Sequence, residues 1–202
     1  MIPKAIASDN SANCLYLTGN LGVSRIQNTN WTTTLSGPKY TGETTSKPGF
    51  KSEIGVGCKA AENVRFELTY IKNSGEVDKL AATNSSNIAT VSSGEFSTKS
   101  FMAGVFIDFL SEKSKFTPYI GAGIGSTNVA IDKWTIAEVH TGSSDTTVLG
   151  YQFKIGSSYD LGDQTDLYLE ASYQGTPNIN IRGLDIDNVT SLNGTFGARF
   201  HF

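Results

Sequence analysis

The fold is decided by Ser191-Leu192-Asn193-Gly194-Thr195-Phe196-Gly197-Ala198-Arg199-Phe200-His201-Phe202, whose side chains alternate in character. The even-numbered residues of this stretch are apolar or small, and the odd-numbered residues are polar or small. Successive side chains of a β-strand point to opposite faces, so a period of two predicts a strand with two different faces. The apolar face carries three aromatic residues, Phe196, Phe200 and Phe202.

The same period recurs in seven earlier segments of the 202-residue chain. These are residues 15–25, 50–60, 64–70, 101–109, 119–125, 149–159 and 167–173. The composition, with 21 Gly, 5 Pro and 17% charged residues, is typical of short strands joined by polar connections. The sequence therefore predicts an all-β protein of eight strands.

The connections between these strands alternate in length. Long polar segments cover residues 27–49, 72–98, 128–146 and 175–189, and short turns lie near residues 60–63, 111–115 and 161–164. Long structureless loops count against a compact soluble domain, whereas outer-membrane barrels have short periplasmic turns and long extracellular loops. The pattern predicts an eight-stranded antiparallel up-and-down transmembrane β-barrel with four long extracellular loops and three short periplasmic turns.

Aromatic residues on the apolar face fall near the strand ends. Phe50, Tyr70, Phe101, Tyr151 and Tyr173 lie near the loop ends, and Phe109, Tyr159, Phe200 and Phe202 lie near the turn ends. Aromatic side chains favour the two interfaces of a bilayer, so we interpret the two groups as girdles. The alternative is a soluble domain with scattered core aromatics. The mean hydropathy of −0.19 does not separate these cases, since alternation averages it out.

The polar face carries equal numbers of acidic and basic residues. We expect these side chains to point into the barrel lumen and to form a charge network there. Its members are Glu53, Lys59, Arg65, Glu67, Asp108, Lys154, Glu170 and Arg199. Desolvated charges persist only when they are paired. Counting about the turn at Gly162 places Lys154 directly opposite Glu170 and predicts an ion pair. Inward glycines, including Gly57, Gly121 and Gly156, would make room for side chains that cross the lumen.

Two cysteines, Cys14 and Cys58, allow one disulfide in an oxidising compartment. Counting along the strands places Cys14 on the inner face and Cys58 on the outer face, which argues against a bridge. The alternative to a disulfide is two separate small residues.

The chain divides into an N-terminal arm, residues 1–14, and the barrel, residues 15–202. Residues 1–13 contain one lysine and no apolar core of a signal peptide, so we interpret them as a mature or recombinant start. The net charge of −3 and the scattered basic residues argue against nucleic acid as a partner.

Catalytic, cofactor and metal sites are not expected. The two histidines fall at opposite ends of the barrel, His140 in the third loop and His201 near the turn end, which is too few and too far apart for a metal site. Ser143, Ser144 and Asp145 lie close to His140 in sequence, but no oxyanion-forming element accompanies them.

Aromatic and apolar residues in two of the loops are candidates for contacts with a partner. Trp31 and Tyr40 lie in the first loop, and Trp134 and Ile136 lie in the third. Exposed aromatic residues are enriched at binding hot spots. Packing of the loops against one another is the equal alternative.

Three stretches resemble a known family. Residues 118–125, 167–173 and 197–202 are similar to the opacity-protein and related surface-antigen family of eight-stranded outer-membrane β-barrels, which also resembles the OmpA-type membrane domain and rickettsial-type surface antigens. The resemblance covers the chain from about Leu15 onward. Phe196, Phe200 and Phe202 resemble the C-terminal assembly signal of such barrels.

The resemblance implies a bacterial outer-membrane surface protein, similar to an adhesin, whose loops face a host or environmental partner such as a surface protein or glycan. It also implies contact with outer-membrane lipid and with the barrel assembly machinery, and a monomeric state. The alternatives are a small low-conductance pore and a lipid-modifying barrel enzyme. A soluble lipocalin-like carrier would instead have an apolar interior and a polar exterior.

Overall fold

Eight long antiparallel strands form the body of the computed structural model. It describes residues 14–33, 40–84, 87–91, 95–111, 114–132, 134–136, 139–141, 144–162, 164–181 and 184–202. The strands are β1 (Leu15–Ile26), β2 (Gly49–Ala61), β3 (Val64–Asn84), β4 (Glu95–Asp108), β5 (Phe116–Asp132), β6 (Ser144–Gly162), β7 (Thr165–Gly175) and β8 (Thr190–His201).

The sheet closes on itself. Each strand pairs antiparallel with the next along the chain, from β1 with β2 to β7 with β8. The last strand then pairs with the first, from Tyr16 opposite His201 to Ile26 opposite Ser191. This ladder confirms the predicted closed eight-stranded antiparallel barrel, in which no long strand is left with a free edge.

The burial pattern is the reverse of that in a soluble protein. Outward-facing Leu, Ile, Val and Phe side chains are exposed, from 41% at Val105 to 68% at Phe101, whereas Lys51 and Glu53 are buried in the interior. An outer wall of this composition matches lipid, and a charged interior does not fit the soluble lipocalin-like alternative.

Aromatic contacts mark the two ends of the outer wall. Tyr70 and Phe101 lie side by side at the loop end, with ring centroids 4.9 Å apart. At the turn end the rings of Phe116 and Tyr159 are 4.8 Å apart. Phe116 joins the predicted turn-side girdle, although the sequence pattern did not assign it there.

The loops contain much more strand than the sequence pattern predicts. β3 continues to Asn84, and seven short strands follow the barrel strands into the loops. These are Thr29–Thr33, Tyr40–Ser46, Asn87–Val91, Trp134–Ile136, Val139–Thr141, Ile179–Ile181 and Leu184–Ile186. The expectation of structureless loops is therefore wrong. Above the lipid both faces of a strand contact water. The strands therefore continue their backbone hydrogen bonding there without the alternation of apolar residues by which a strand is recognised in the sequence.

All four loops contribute to one sheet, which we call the loop sheet. Its order is Ile179–Ile181, Leu184–Ile186, Thr29–Thr33, Tyr40–Ser46, the outer half of β3, Asn87–Val91, Trp134–Ile136 and Val139–Thr141. The loop ends of the barrel are therefore joined by backbone hydrogen bonds rather than standing apart.

A disulfide joins Cys14 to Cys58, with Cα atoms 4.7 Å apart. The argument from face parity is wrong here, because Cys14 immediately precedes β1 and its side chain is not fixed by the pleat of that strand. Its carbonyl accepts a hydrogen bond from the Lys59 N–H at 2.8 Å, which holds it beside β2. Residues 1–13 lie outside the described residues, so the boundary of the N-terminal arm stays a prediction.

Within the described part of the chain, no helix is long and apolar enough to cross a membrane.

Candidate functional site

The lumen contains two clusters of buried charges. The loop-side cluster consists of Lys51, Glu53, Lys154 and Glu170, and the turn-side cluster consists of Arg65, Glu67, Asp108 and Arg199. Each cluster has two basic and two acidic side chains, so its formal charges balance. Balanced pairing is what allows so many charges to stay desolvated inside a narrow barrel.

In the loop-side cluster, Glu53 lies between two lysines. Its carboxylate is 3.1 Å from Lys51 Nζ and also binds Lys154 Nζ. Lys154 in turn lies 3.1 Å from Glu170 Oε1. Lys51 donates a further hydrogen bond of 2.9 Å to Ser172 Oγ. The chain of contacts links β2, β6 and β7 across the lumen.

In the turn-side cluster, Arg65 binds two acids. It pairs with Glu67, and its Nε lies 3.0 Å from Asp108 Oδ1. Glu67 also accepts a hydrogen bond of 2.8 Å from the Tyr16 hydroxyl, and Arg199 Nε lies 3.8 Å from Glu67 Oε1. These contacts join β1, β3, β4 and β8.

Aromatic rings fill the space between the two clusters. Tyr119 donates a hydrogen bond of 3.0 Å to Glu170 Oε2, while the guanidinium carbons of Arg65 and Arg199 lie 4.6 and 4.8 Å from its ring centroid. Arg65 also lies over the ring of Phe106 at 4.3 Å. Cation–π contacts of this kind strengthen when they are desolvated. Tyr119 therefore connects the loop-side and turn-side clusters into one packed unit.

A neutral polar layer lies above the charges towards the loop end. Asn73 donates to Thr98 at 3.2 Å and to Gln174 at 3.0 Å, and Gln174 donates to Ser100 at 2.7 Å. A cavity of about 10 Å³ adjoins this layer, lined in part by Thr98 and Gln174, which is room for at most one water molecule. The described interior is a plug rather than an open channel.

The interpretation of the charged residues from sequence needs correction at three points. Lys59 is exposed at the turn end of β2, where the register shifts after it, and it makes no contact with either described cluster. Lys51, which the sequence interpretation omitted, is fully buried in the lumen. The predicted Lys154–Glu170 ion pair is present, but the two residues are not directly opposite. Lys154 faces Ser172, because the β6–β7 turn is tighter and irregular at Asp160–Gly162.

Inward glycines lie against crossing side chains, as predicted. A Cβ atom at Gly57 would lie 2.2 Å from the Tyr16 ring, one at Gly121 would lie 2.3 Å from Phe106, and one at Gly156 would lie 2.5 Å from Tyr119. The narrow lumen accommodates these rings only because the facing position has no side chain.

The two histidines lie at opposite ends of the barrel. His201 Nε2 lies 3.0 Å from Asp166 Oδ2 at the turn-side rim. His140 belongs to the short strand Val139–Thr141 of the loop sheet, with its side chain outside the described set, and Ser143 lies outside the described residues. Among the described residues no group of three or more side chains is arranged to hold a metal ion.

Trp31 is buried within the loop sheet, with 8% of its surface exposed. It pairs with Ile186 on one side and with Gly42 on the other. The prediction of Trp31 as an exposed partner contact is therefore wrong, and the alternative, packing of the loops together, describes this residue. Tyr40, Trp134 and Ile136 lie in strands of the loop sheet, but their side chains fall outside the described set.

The aromatic residues of β8 face outward. Phe196, Phe200 and Phe202 are all more than half exposed on the outer wall. The Phe202 N–H donates a hydrogen bond of 3.2 Å to the Leu15 carbonyl, which extends the seam between β8 and β1 to the last residue.

Comparison with known proteins places this geometry in a family context. Residues 4–200 match the family described as "Outer membrane protein beta-barrel domain". A protein of Rickettsia bellii (strain OSU 85-389) named "Putative adhesin" is 30% identical over 175 residues, which cover 77% of this chain and 76% of that protein.

Solved structures share the fold at lower identity. Neisserial surface protein A matches with a TM-score of 0.63 and 20% identity over 93% of this chain and 97% of that one. The outer membrane protease OmpT from Escherichia coli matches with a TM-score of 0.58 and 9% identity over 95% and 98%. At these identities the similarity shows the barrel architecture alone.

Proposed function

Because this chain belongs to the outer membrane protein beta-barrel domain family and lies in the bacterial outer membrane, we propose that it is an adhesin-like surface protein. Its barrel anchors the loop sheet in the membrane, and the loop sheet binds a host surface protein or glycan. Residues 15–202 act as one unit in this proposal, with residues 1–14 as an arm.

The observation that carries the proposal is the continuity of the loop sheet. Strands from all four loops are hydrogen-bonded in one order, from Ile179–Ile181 to Val139–Thr141. A surface held in one shape by backbone bonds loses less conformational entropy on binding than separate flexible loops would lose. The name of the R. bellii relative supports the same role.

Exposed polar residues on the loop sheet provide groups that a partner could contact. Asp185 is exposed and accepts a hydrogen bond of 2.5 Å from Asn180, and Glu43 accepts one of 2.8 Å from Asn28. Carboxylate and amide groups of this kind suit hydroxyl-rich glycans or basic protein surfaces.

The plugged lumen argues against the pore alternative. Tyr16, Phe106 and Tyr119 cross the interior and are buried to 1% exposure or less. Planar-bilayer recordings should accordingly lack large, stable single-channel steps. For a lipid-modifying or other enzyme, no described side-chain arrangement favours a reaction, although OmpT shows that this architecture hosts a protease elsewhere.

One further partner and the oligomeric state belong to the proposal. The outward row Phe196, Phe200 and Phe202 serves as the signal recognised by the barrel assembly machinery, since these rings lie on the closing strand where they are accessible from outside. The barrel acts as a monomer, because its long strands are all paired within the chain.

The test is binding of whole bacteria to host cells. Bacteria that display the full protein should adhere, and replacement of the four loop segments by short Gly-Ser turns should lower adhesion at least about tenfold. The control variant replaces the connection 109–115 at the turn end and should adhere like the unaltered protein. Surface level and folding of each variant are checked by heat-dependent gel mobility. Adhesion that survives removal of all four loop segments contradicts the proposal.

A further inference from the structure

Two lysines lie opposite each other on the outer wall, just above the loop-side girdle. Lys72 of β3 and Lys99 of β4 are directly paired in the antiparallel register, and both are exposed. Like charges placed directly opposite on one face destabilise a strand pair. Neither lysine has an acidic partner among the described residues. The arrangement would be stabilised by an anion bound between them.

Two exposed acids near the lysines contact other residues. Glu76, four residues beyond Lys72 on the same strand, lies 3.9 Å from Lys47 Nζ. Asp145 accepts a hydrogen bond of 2.9 Å from Asn128, the residue paired with Lys99 on β5. Among the described residues neither acid forms an ion pair with Lys72 or Lys99, so the lysine pair lacks a salt bridge there.

An apolar groove of about 770 Å³ lies directly below the lysines on the lipid side. Its lining includes Leu68, Tyr70, Phe101, Ala103 and Ile124. Ala103 is the smallest outward-facing side chain among the lining residues, so the wall is indented there. Tyr70 and Phe101 form the end of the groove that faces the lysines, and each lies two residues from its lysine along the strand.

The height of the lysines matches a headgroup. Each lies two residues beyond an aromatic residue of the girdle, which is about 7 Å at the rise of a β-strand. Aromatic girdles mark the boundary between hydrocarbon and headgroups, so the two ammonium groups reach the layer where lipid phosphates lie. Basic residues near such a surface attract anionic lipids.

We propose that Lys72 and Lys99 together bind the phosphate headgroup of one outer-membrane lipid, whose acyl chain lies in the groove over Ala103. The occupant is a lipid rather than a free anion, since the charge pair and the apolar groove are adjoining parts of one surface. This site is on the outer wall and is independent of the adhesin function proposed for the loop sheet.

The test measures which lipid stays bound. The full chain is reconstituted into nanodiscs with equal amounts of phosphatidylglycerol and phosphatidylcholine of identical acyl chains, released into mild detergent, and examined by native mass spectrometry. We expect the unaltered protein to retain phosphatidylglycerol in preference. The Lys72→Gln/Lys99→Gln double variant should lower that preference about tenfold or more.

A matched control removes the same charge from the other end of the barrel. Lys59 and Lys115 are exposed at the turn end, so Lys59→Gln/Lys115→Gln should retain phosphatidylglycerol like the unaltered protein. An unchanged preference in the Lys72/Lys99 variant, or an equal loss in the control, overturns the proposal. Heat-dependent gel mobility verifies that every variant is folded.

Two further arms examine the acyl chain. Ala103→Leu fills the groove and should lower retention of the lipid, whereas Ala122→Leu, also exposed on the outer wall, should not. Inorganic phosphate added in excess should fail to displace the bound lipid. Displacement by phosphate, or full retention by Ala103→Leu, would show an anion site without an acyl groove and would contradict the assignment.

Discussion

At the residue scale, the period of two fixes the face of each side chain but not its depth in the barrel. The alternation assigned Glu53, Arg65 and Lys154 to the lumen, where the structure has them. The same rule placed Lys59 in the lumen, although Lys59 lies at the exposed turn end. The rule did not assign Lys51 to the lumen, although Lys51 is buried near the loop end. Depth depends on where the crossing side chains pack, and a single strand does not carry that information.

Glycines of the closing strand β8 provide a matched pair of substitutions. A Cβ atom at Gly197 would lie 2.4 Å from the Gly19 carbonyl oxygen and 2.5 Å from the Tyr168 ring, whereas one at Gly194 meets nothing within 4 Å. We expect Gly197→Ala to lower the free energy of unfolding by about 1–3 kcal/mol, as overpacking does. Gly194→Ala should leave it unchanged or raise it by about 0.5–1 kcal/mol. Urea unfolding of the refolded barrel measures both, and equal midpoints for the two variants would contradict the packing of this strand.

A second pair compares a buried lysine with an exposed one. Lys154→Gln removes the partner that Glu53 and Glu170 share. Glu53 keeps its pair with Lys51, but leaving the buried Glu170 charge without Lys154 should cost about 3–5 kcal/mol of stability. Lys59→Gln makes the same chemical change at an exposed position and should alter stability by no more than about 0.5 kcal/mol. The readout is the urea midpoint in vesicles. A Lys154→Gln barrel as stable as Lys59→Gln would show that the loop-side cluster does not support the fold.

At the scale of the element, the sequence predicted the parts of the strands that contact lipid. It did not predict the parts that extend above the membrane. Apolar alternation identified β1 to β8 because one face of each strand meets hydrocarbon and the other meets charges. β3, expected over residues 64–70, continues to Asn84, and its outer half pairs with Tyr40–Ser46 and Asn87–Val91. In water, Asn, Ser and Thr occupy either face of a strand. The alternation of apolar residues therefore ends at the membrane boundary, while the hydrogen bonds between strands continue.

Substitution of Trp31 tests whether the loop sheet packs independently of the barrel. Because Trp31 is buried there, Trp31→Ala should loosen the loop strands while the barrel stays folded. Limited proteolysis should then cut the loops faster, with unchanged heat-dependent gel mobility of the barrel. Asn30→Ala changes the exposed neighbouring position and serves as the control. Unchanged proteolysis of the Trp31→Ala protein would contradict the packing role.

At the scale of the whole molecule, one covalent bond supplements the closed ladder. The Cys14–Cys58 disulfide spans 44 residues, and by loop-closure entropy its loss should cost up to about 4 kcal/mol. Reduction should therefore lower the urea midpoint of the unaltered protein. The Cys14→Ser/Cys58→Ser variant should match the reduced protein and should not respond to reductant. Identical midpoints for oxidised and reduced protein would show that the bond contributes nothing to stability.

The seam between β1 and β8 has a kinetic consequence. Its contacts join residues as far apart as Tyr16 and His201, among the largest sequence separations that the chain allows. Closure must therefore wait until residues 190–201 have been synthesised and delivered, and β1 has no partner on that edge until then. Contacts of such long range make folding slow and leave intermediates open to aggregation. The protein is thus expected to depend on being kept unfolded in transit, so that its first strand and its last reach the membrane together.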